Sequence, residues 1–293
     1  MNLAMGFEGR LGDLRDRAVG WAVLHAMPRL RDALLASWAV GGADLGGRRR
    51  ELFAALARAI ERTYYAPGTP SARRAEIRHL CHGFESGLRA AERDERCPAA
   101  PAARSALDGE IDARLCSGRV RTVHQVACGS GRALAAAAAR FPAVFFCGSD
   151  GNPLVVDFCR RRWRHLPNLA FTTLRLENTH DRAVARSLQA DLVVANGGLH
   201  LLDEAELRAC FDSLRRWCPV LLVSQPVAPD FDVAGTPWSE PRPPLGWSHP
   251  YPLYLREAGW ENVRATEEVP SDTPDRKLVA AFASDATHAL RAA

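Results

Sequence analysis

Residues 122–134 read TVHQVACGSGRAL. Val123 and Val126 are β-branched and suit a buried strand, and Ala127 opens a turn carried by Gly129 and Gly131. Arg132 then begins an alanine-rich helix. A glycine turn of this kind lets the backbone approach a ligand where a Cβ would collide. It also points helix N-terminal N–H groups and the positive end of the helix dipole into the crevice beyond the strand. The stretch therefore predicts the nucleotide-binding corner of an open α/β sheet.

The chain downstream repeats the same grammar. Strands are predicted at 123–127, 143–147, 170–174, 192–195 and 220–224, with helices at 133–139, 152–163, 181–188 and 204–217 between them. Two more strands, 263–268 and 278–282, are close enough in sequence to pair antiparallel. Tyr251–Ala258 reads as a short helix capped by Gly259. Apolar strands alternating with amphipathic helices imply a mostly parallel sheet covered on both faces. The segment 226–252 is rich in proline and glycine and reads as a long irregular loop, with Trp238, Trp247, Tyr251 and Tyr254 in or beside it. Those aromatics suit either an apolar or aromatic substrate or a hydrophobic plug.

Upstream, residues 1–118 read as helices only. Leu52, Ala55, Leu56 and Ile60 share one face of a helix over 48–65, and Ser71 reads as the cap of the next. CPAAPAA at 97–103 is a proline-broken linker, and a last helix over 105–116 leads to the first strand. Two domains are expected, a helical one over 1–118 and a Rossmann-like one over 119–293.

Composition excludes several classes. The net charge of +4 is mild. Arginines 48–50 and the cluster over 160–164 read as solvated helix faces, so no nucleic-acid partner is expected. The eight cysteines form no C-x-x-C pair and no zinc spacing with histidine, which points to free thiols in a reducing compartment and no metal. The N-terminus lacks a secretory pattern, and no apolar run approaches ~18 residues. A cytoplasmic protein without a membrane span is expected.

The dinucleotide fingerprint G-x-G-x-x-G is not met, because Leu134 stands where the last glycine belongs. Asp150, in GSDGNP after the second strand, strengthens the ligand reading. A carboxylate there can accept both hydroxyls of a ribose whose other end lies on the glycine turn. The competing reading has Asp150 merely cap the helix that starts at Asn152 or Pro153.

ACGSG, GSDGNP, ADLVVANGGLHLL, VLLVS and LREAGWENV, in that order and followed by a final strand, resemble the class I S-adenosylmethionine-dependent methyltransferases over residues 119–284. The resemblance implies a seven-stranded sheet with an antiparallel last strand, S-adenosylmethionine as cofactor and a helical N-terminal cap that recognises a small molecule. Carried over by position, Ala127, Gly129 and Gly131 line the methionine and ribose portion. Asp150 takes the ribose hydroxyls, Gly151 is a further cofactor-binding position, Asn152 lies beside the adenine, and Asn196 and Gly197 face the methionine portion and the reacting centre. Three positions depart from the family pattern. Gln125 stands for the usual acid that holds the methionine amino group. Ala127 stands for the first motif glycine. Arg175 follows the third strand where an acid often holds the adenine amine, leaving Glu177 or Asn178 to substitute.

His200, in NGGLHLL at the mouth of the cleft, is the candidate base for an acceptor that loses a proton. The alternative is a packed histidine bonded to backbone. Tyr65, with Tyr64 at the end of a cap helix, either covers the sulfonium through cation–π attraction or anchors the cap. The resemblance implies methyl transfer to a small molecule in secondary metabolism. Two alternatives stay open: transfer or cyclisation of the aminobutyrate arm, as in nicotianamine-synthase-like and azetidine-forming enzymes, and a non-catalytic binding protein. The apolar N-terminal helices offer a face for a homodimer.

Overall fold

The computed structural model describes residues 17–35, 38, 45–82, 84–96, 105–178, 189–243, 245–269 and 277–284. The chain divides into two compact units, residues 1–90 with 243–245, and residues 91–242 with 246–293. The expected linker at 97–103 and helix at 181–188 lie outside the described residues.

The first unit is helical. Residues 17–26 form a helix, followed by α1 (Pro28–Leu35), α2 (Gly47–Tyr65), α3 (Ser71–His82) and the first part of α4 (Phe84–Arg96). The apolar stripe of α2 buries Phe53, Leu56, Ile60 and Tyr64 with Ile77 and Cys81 of α3. Gly20 lets the first helix approach α2 closely, since a Cβ there would stand 2.3 Å from the Ala55 carbonyl oxygen. Ser71 is the first helical residue rather than the cap. Tyr64 is fully buried, its ring edge-on to Tyr65 at 4.9 Å.

The second unit is a seven-stranded sheet. Its strands are β1 (Thr122–Val126), β2 (Phe145–Asp150), β3 (Leu169–Thr173), β4 (Leu192–Asn196), β5 (Val220–Val227), β8 (Arg264–Glu268) and β9 (Lys277–Ser284); β6 (Glu240–Arg242) and β7 (Gly246–Ser248) form a separate hairpin. The order across the large sheet is β3-β2-β1-β4-β5-β9-β8, with β9 antiparallel to both its neighbours and the first five strands parallel. The sheet is thus mostly parallel, with one reversed strand, as the alternating pattern predicts.

Strand alternation sends side chains to two cores. On one face Val126, Val193, Ala195, Leu221 and Val223 meet α8 (Glu204–Trp217) and α9 (Tyr251–Glu257). On the other, Val123, Phe146, Leu192, Val194 and Leu222 meet α5 (Ala106–Cys116), α6 (Arg132–Arg140) and α7 (Pro153–Arg162). Reciprocal capping boxes start two of these helices, Ser105 with Asp108 on α5 and Asp203 with Glu206 on α8.

Two expectations need correction. The second strand begins at Phe145 because Phe141–Val144 closes a turn, with Val144 N–H donating to Phe141 O at 3.0 Å. It ends at Asp150, so the acid is the last strand residue. The segment after Gln225 is not irregular throughout: β5 runs to Val227, and β6 and β7 pair within it. Pro226 is tolerated there because β4 stops at Asn196 opposite Ser224, so the missing N–H faces no β4 partner.

Candidate active site

Strands 1, 2 and 3 progress in one direction from β1, and β4 lies on its other side. The chain reverses at the carboxyl ends of β1 and β4, the place where open α/β sheets bind ligands. Three loops converge there.

The first is the turn after β1. Ala127, Gly129 and Gly131 all adopt left-handed backbone, with φ of 50, 54 and 68°. Among the described residues Ala127 is the one non-glycine with positive φ, a conformation that costs an alanine about 1 kcal/mol. The glycines serve different ends. A Cβ on Gly131 would stand 2.7 Å from the Phe171 ring, whereas nothing lies within 4 Å of one on Gly129. Gly131 is therefore needed for packing, and Gly129 faces open space. The turn is tied down through its backbone: Cys128 N–H donates to Ser149 O, Trp163 Nε1 to Ser130 O and Cys159 Sγ to Gly129 O, at 2.8, 2.8 and 3.1 Å. Ser130 Oγ donates to Asp94 of α4, which also meets Arg132 at 3.3 Å.

The second loop begins at Asp150. Its Oδ2 accepts from Gly129 N–H at 3.2 Å and its Oδ1 from Asn152 N–H at 2.9 Å. Burial pushes the carboxyl pKa up, against these two hydrogen bonds that favour the charged form. The cap of α7 is Asn152, whose side chain accepts from Leu154 N–H at 3.0 Å. Asp150 is thus a carboxylate fixed by two backbone donors, each oxygen keeping a further lone pair. Gly151 sits against the loop after β3, where a Cβ would meet Arg175 Cγ at 3.4 Å. Glu177 and Asn178 lie just beyond in a short 3-10 turn, Leu176–Asn178.

The third loop follows β4. Asn196 ends that strand exposed, and Gly197 and Gly198 have φ of 80 and 85°. Gly197 faces open space, while a Cβ on Gly198 would stand 2.4 Å from the Ala127 Cβ. The alanine methyl is therefore packed at the joint between the β1 and β4 loops. Gln125 is buried one register step below, opposite Val194. His200 lies in a second 3-10 turn, Leu199–Leu201. Its N–H donates to Gln225 Oε1 at 3.2 Å, and its Nδ1 lies 3.4 Å from the same oxygen. Both contacts are to the one Gln225 oxygen.

Sequence reasoning brought Gln125, Ala127, Gly129, Gly131, Asp150, Gly151, Asn152, Asn196, Gly197 and His200 to one edge of the sheet, and the structure places them there. Tyr65 belongs to the first unit. Tyr251 and Tyr254, read as part of an aromatic loop, are core residues at 0% and 1% exposure, whereas Trp238 is exposed. Three participants went unread: Gln225, Asp94 and His249. Fully buried His249 donates from Nε2 to Leu202 O at 3.1 Å and, as a neutral ring, accepts at Nδ1 from Ser239 Oγ at 2.7 Å. It pins the segment that follows His200.

Residues 125–219 match the family model described as a methyltransferase domain. This stretch is similar to a methyltransferase domain. Over that stretch the chain resembles the class I S-adenosylmethionine-dependent methyltransferases. No curated protein matches the sequence. Solved structures similar to it include magnesium protoporphyrin IX methyltransferase from Synechocystis with bound SAH, at 14% identity over 78% of this chain and 99% of that one, TM-score 0.45. The N-methyltransferase NodS from Bradyrhizobium japonicum, in complex with S-adenosyl-l-homocysteine, is 14% identical over 68% and 98%, TM-score 0.43. The [4+2]-cyclase SpnF is 16% identical over 61% and 81%, TM-score 0.47.

The residues present fit such a cofactor. Gly129 and Gly197 leave room on the ligand side that a Cβ would fill, and Asp150 sits between them and α7 as a fixed acceptor. Among the described residues no group of three or more side chains could hold a metal ion, and no helix is long and apolar enough to cross a membrane.

Proposed function

We propose that the protein transfers the methyl group of S-adenosylmethionine to a small-molecule acceptor, in secondary metabolism and in the cytoplasm. The observation that carries this reading is the Asp150 carboxylate, clasped by the Gly129 and Asn152 N–H groups at the switch point of the sheet. Free thiols at the described cysteines fit a reducing compartment.

When bound, the cofactor supplies a methyl carbon on a cationic sulfur, open to in-line displacement with release of a neutral thioether. Asp150 takes the two ribose hydroxyls, which fixes the register of the ligand along the edge. The open faces of Gly129 and Gly197 admit the chain between ribose and methionine end, and Asn196 faces the reacting centre. Gln125 offers an amide where the family holds the amino group with an acid, so that contact is a neutral hydrogen bond. His200 receives the proton that an acceptor hydroxyl or amine loses as its lone pair bonds to carbon. Positioning and exclusion of water supply the remainder of the rate. The helical unit, with Tyr65 at the end of α2, is assigned the recognition of the small molecule.

Mass spectrometry of S-adenosylmethionine turned over with the protein and a panel of hydroxylated and amino acceptors tests the reading. S-adenosylhomocysteine is the expected product. Methylthioadenosine would mark aminobutyrate transfer instead, the chemistry that the neutral Gln125 favours. Neither product would leave a binding protein.

A further inference from the structure

We propose that Gln225 is a positioning residue that sets the tautomer of His200 and with it the atom that serves as base. The proposal rests on the reading of His200 above. Gln225 lies on β5 and is completely buried. Its amide nitrogen has two hydrogens and two partners, donating to Ala195 O at 2.8 Å and to Gly197 O at 3.0 Å. Both carbonyls are obligate acceptors, so the orientation of the amide is determined by its surroundings. Oε1 is consequently an acceptor aimed at His200, where it takes the backbone N–H at 3.2 Å and faces Nδ1 at 3.4 Å.

An acceptor facing Nδ1 is satisfied only by a ring that carries its proton there. The lone pair of the neutral imidazole is then on Nε2, which makes that nitrogen the basic one. The same amide holds Gly197 and the end of β4, so one buried side chain sets both the ring of the base and the left-handed glycine beside it. Gly246 of β7 packs close to the ring: a Cβ there would stand 3.0 Å from His200 Cδ2. With the ring held by Gln225 and close to the β7 backbone, rotation that exchanges the two nitrogens is opposed.

The test uses the full chain with nitrogen-labelled histidine. NMR of the wild-type protein at a pH where the ring is neutral should show His200, assigned by its loss in His200→Gln, protonated on Nδ1. A wild-type ring protonated on Nε2 overturns the proposal without any variant of Gln225. In Gln225→Leu the Nδ1–H form should lose its dominance and kcat should fall roughly 10-fold or more, the scale of a misdirected general base. Gln225→Glu, buried and so favoured in its protonated form, keeps one donor and one acceptor and should restore the Nδ1–H signature. A folded Gln225→Leu variant with unchanged tautomer contradicts the proposal. His200→Ala with full activity would instead sink the base reading, while the wild-type tautomer would still stand or fall by itself.

Discussion

The two halves of the sheet's carboxyl edge are built by different means. Around β1 and β2 the ligand side is made of backbone: left-handed Gly129, the N–H groups of Gly129 and Asn152, and one carboxylate that they hold. Around β4 and β5 buried side chains do the holding: Gln225 holds His200, and His249 holds Leu202 O. Backbone scaffolding serves a constant ligand, whose sugar edge is the same in every turnover. Side-chain scaffolding serves a chemistry that can be retuned residue by residue. The first half should therefore govern cofactor affinity, and the second, turnover.

The largest expected effect separates these roles. Replacing His200 by alanine should lower kcat by about 10²–10⁴-fold, the usual contribution of a general base, while calorimetry shows cofactor affinity unchanged. Loss of affinity without loss of kcat would invert the division of labour.

Acid should loosen the second half before the first. Burial holds the His249 pKa down at about 4, against the ordinary 6.5 of the unfolded chain. The neutral ring is the folded form, so its contribution is complete above pH 6.5 and is lost as pH falls from there to about 4. The loss amounts to roughly 3 kcal/mol. His82 in the helical unit, also lowered to about 4 by burial and by Arg78, acts with the same sign. Hydrogen exchange across this range should show faster opening around Leu202 than around Gly129. Uniform protection would remove the contrast.

Gly198→Ala should destabilise the protein by about 1–3 kcal/mol. It forces positive φ on a side chain whose Cβ meets the Ala127 methyl at 2.4 Å. Urea unfolding measures it. The smallest effect belongs to Ala127→Gly, which relieves the left-handed alanine but adds unfolded-state freedom. The net change should be a stabilisation of about 1 kcal/mol or less, read as a shift in thermal midpoint.

The sheet and the first half were legible in the sequence because their signals are local. ACGSG is a contiguous turn, and Asp150 closes a strand that reads as one. The second half was legible only in part. His200 stands out by its place after β4, but Gln225 does not. Its partners Ala195, Gly197 and His200 lie 25 to 30 residues earlier, and a glutamine at the end of an apolar strand has no local signature. His249 hides for the same reason, with Leu202 as a partner 47 residues away. Tyr251 and Tyr254 were ambiguous in the sequence: aromatics beside proline suit a binding loop or a hydrophobic plug, and α9 turns both into the core.

Titration of S-adenosylhomocysteine into the wild-type protein and Asp150→Ala, followed by calorimetry, tests the central assignment most directly. Saturable one-to-one binding is predicted for the wild type, weakened by about 1–3 kcal/mol in the variant, the worth of a charged hydrogen-bonding group. Equal affinity in the two proteins, or no binding to the wild type, would contradict the assignment of this edge to the cofactor.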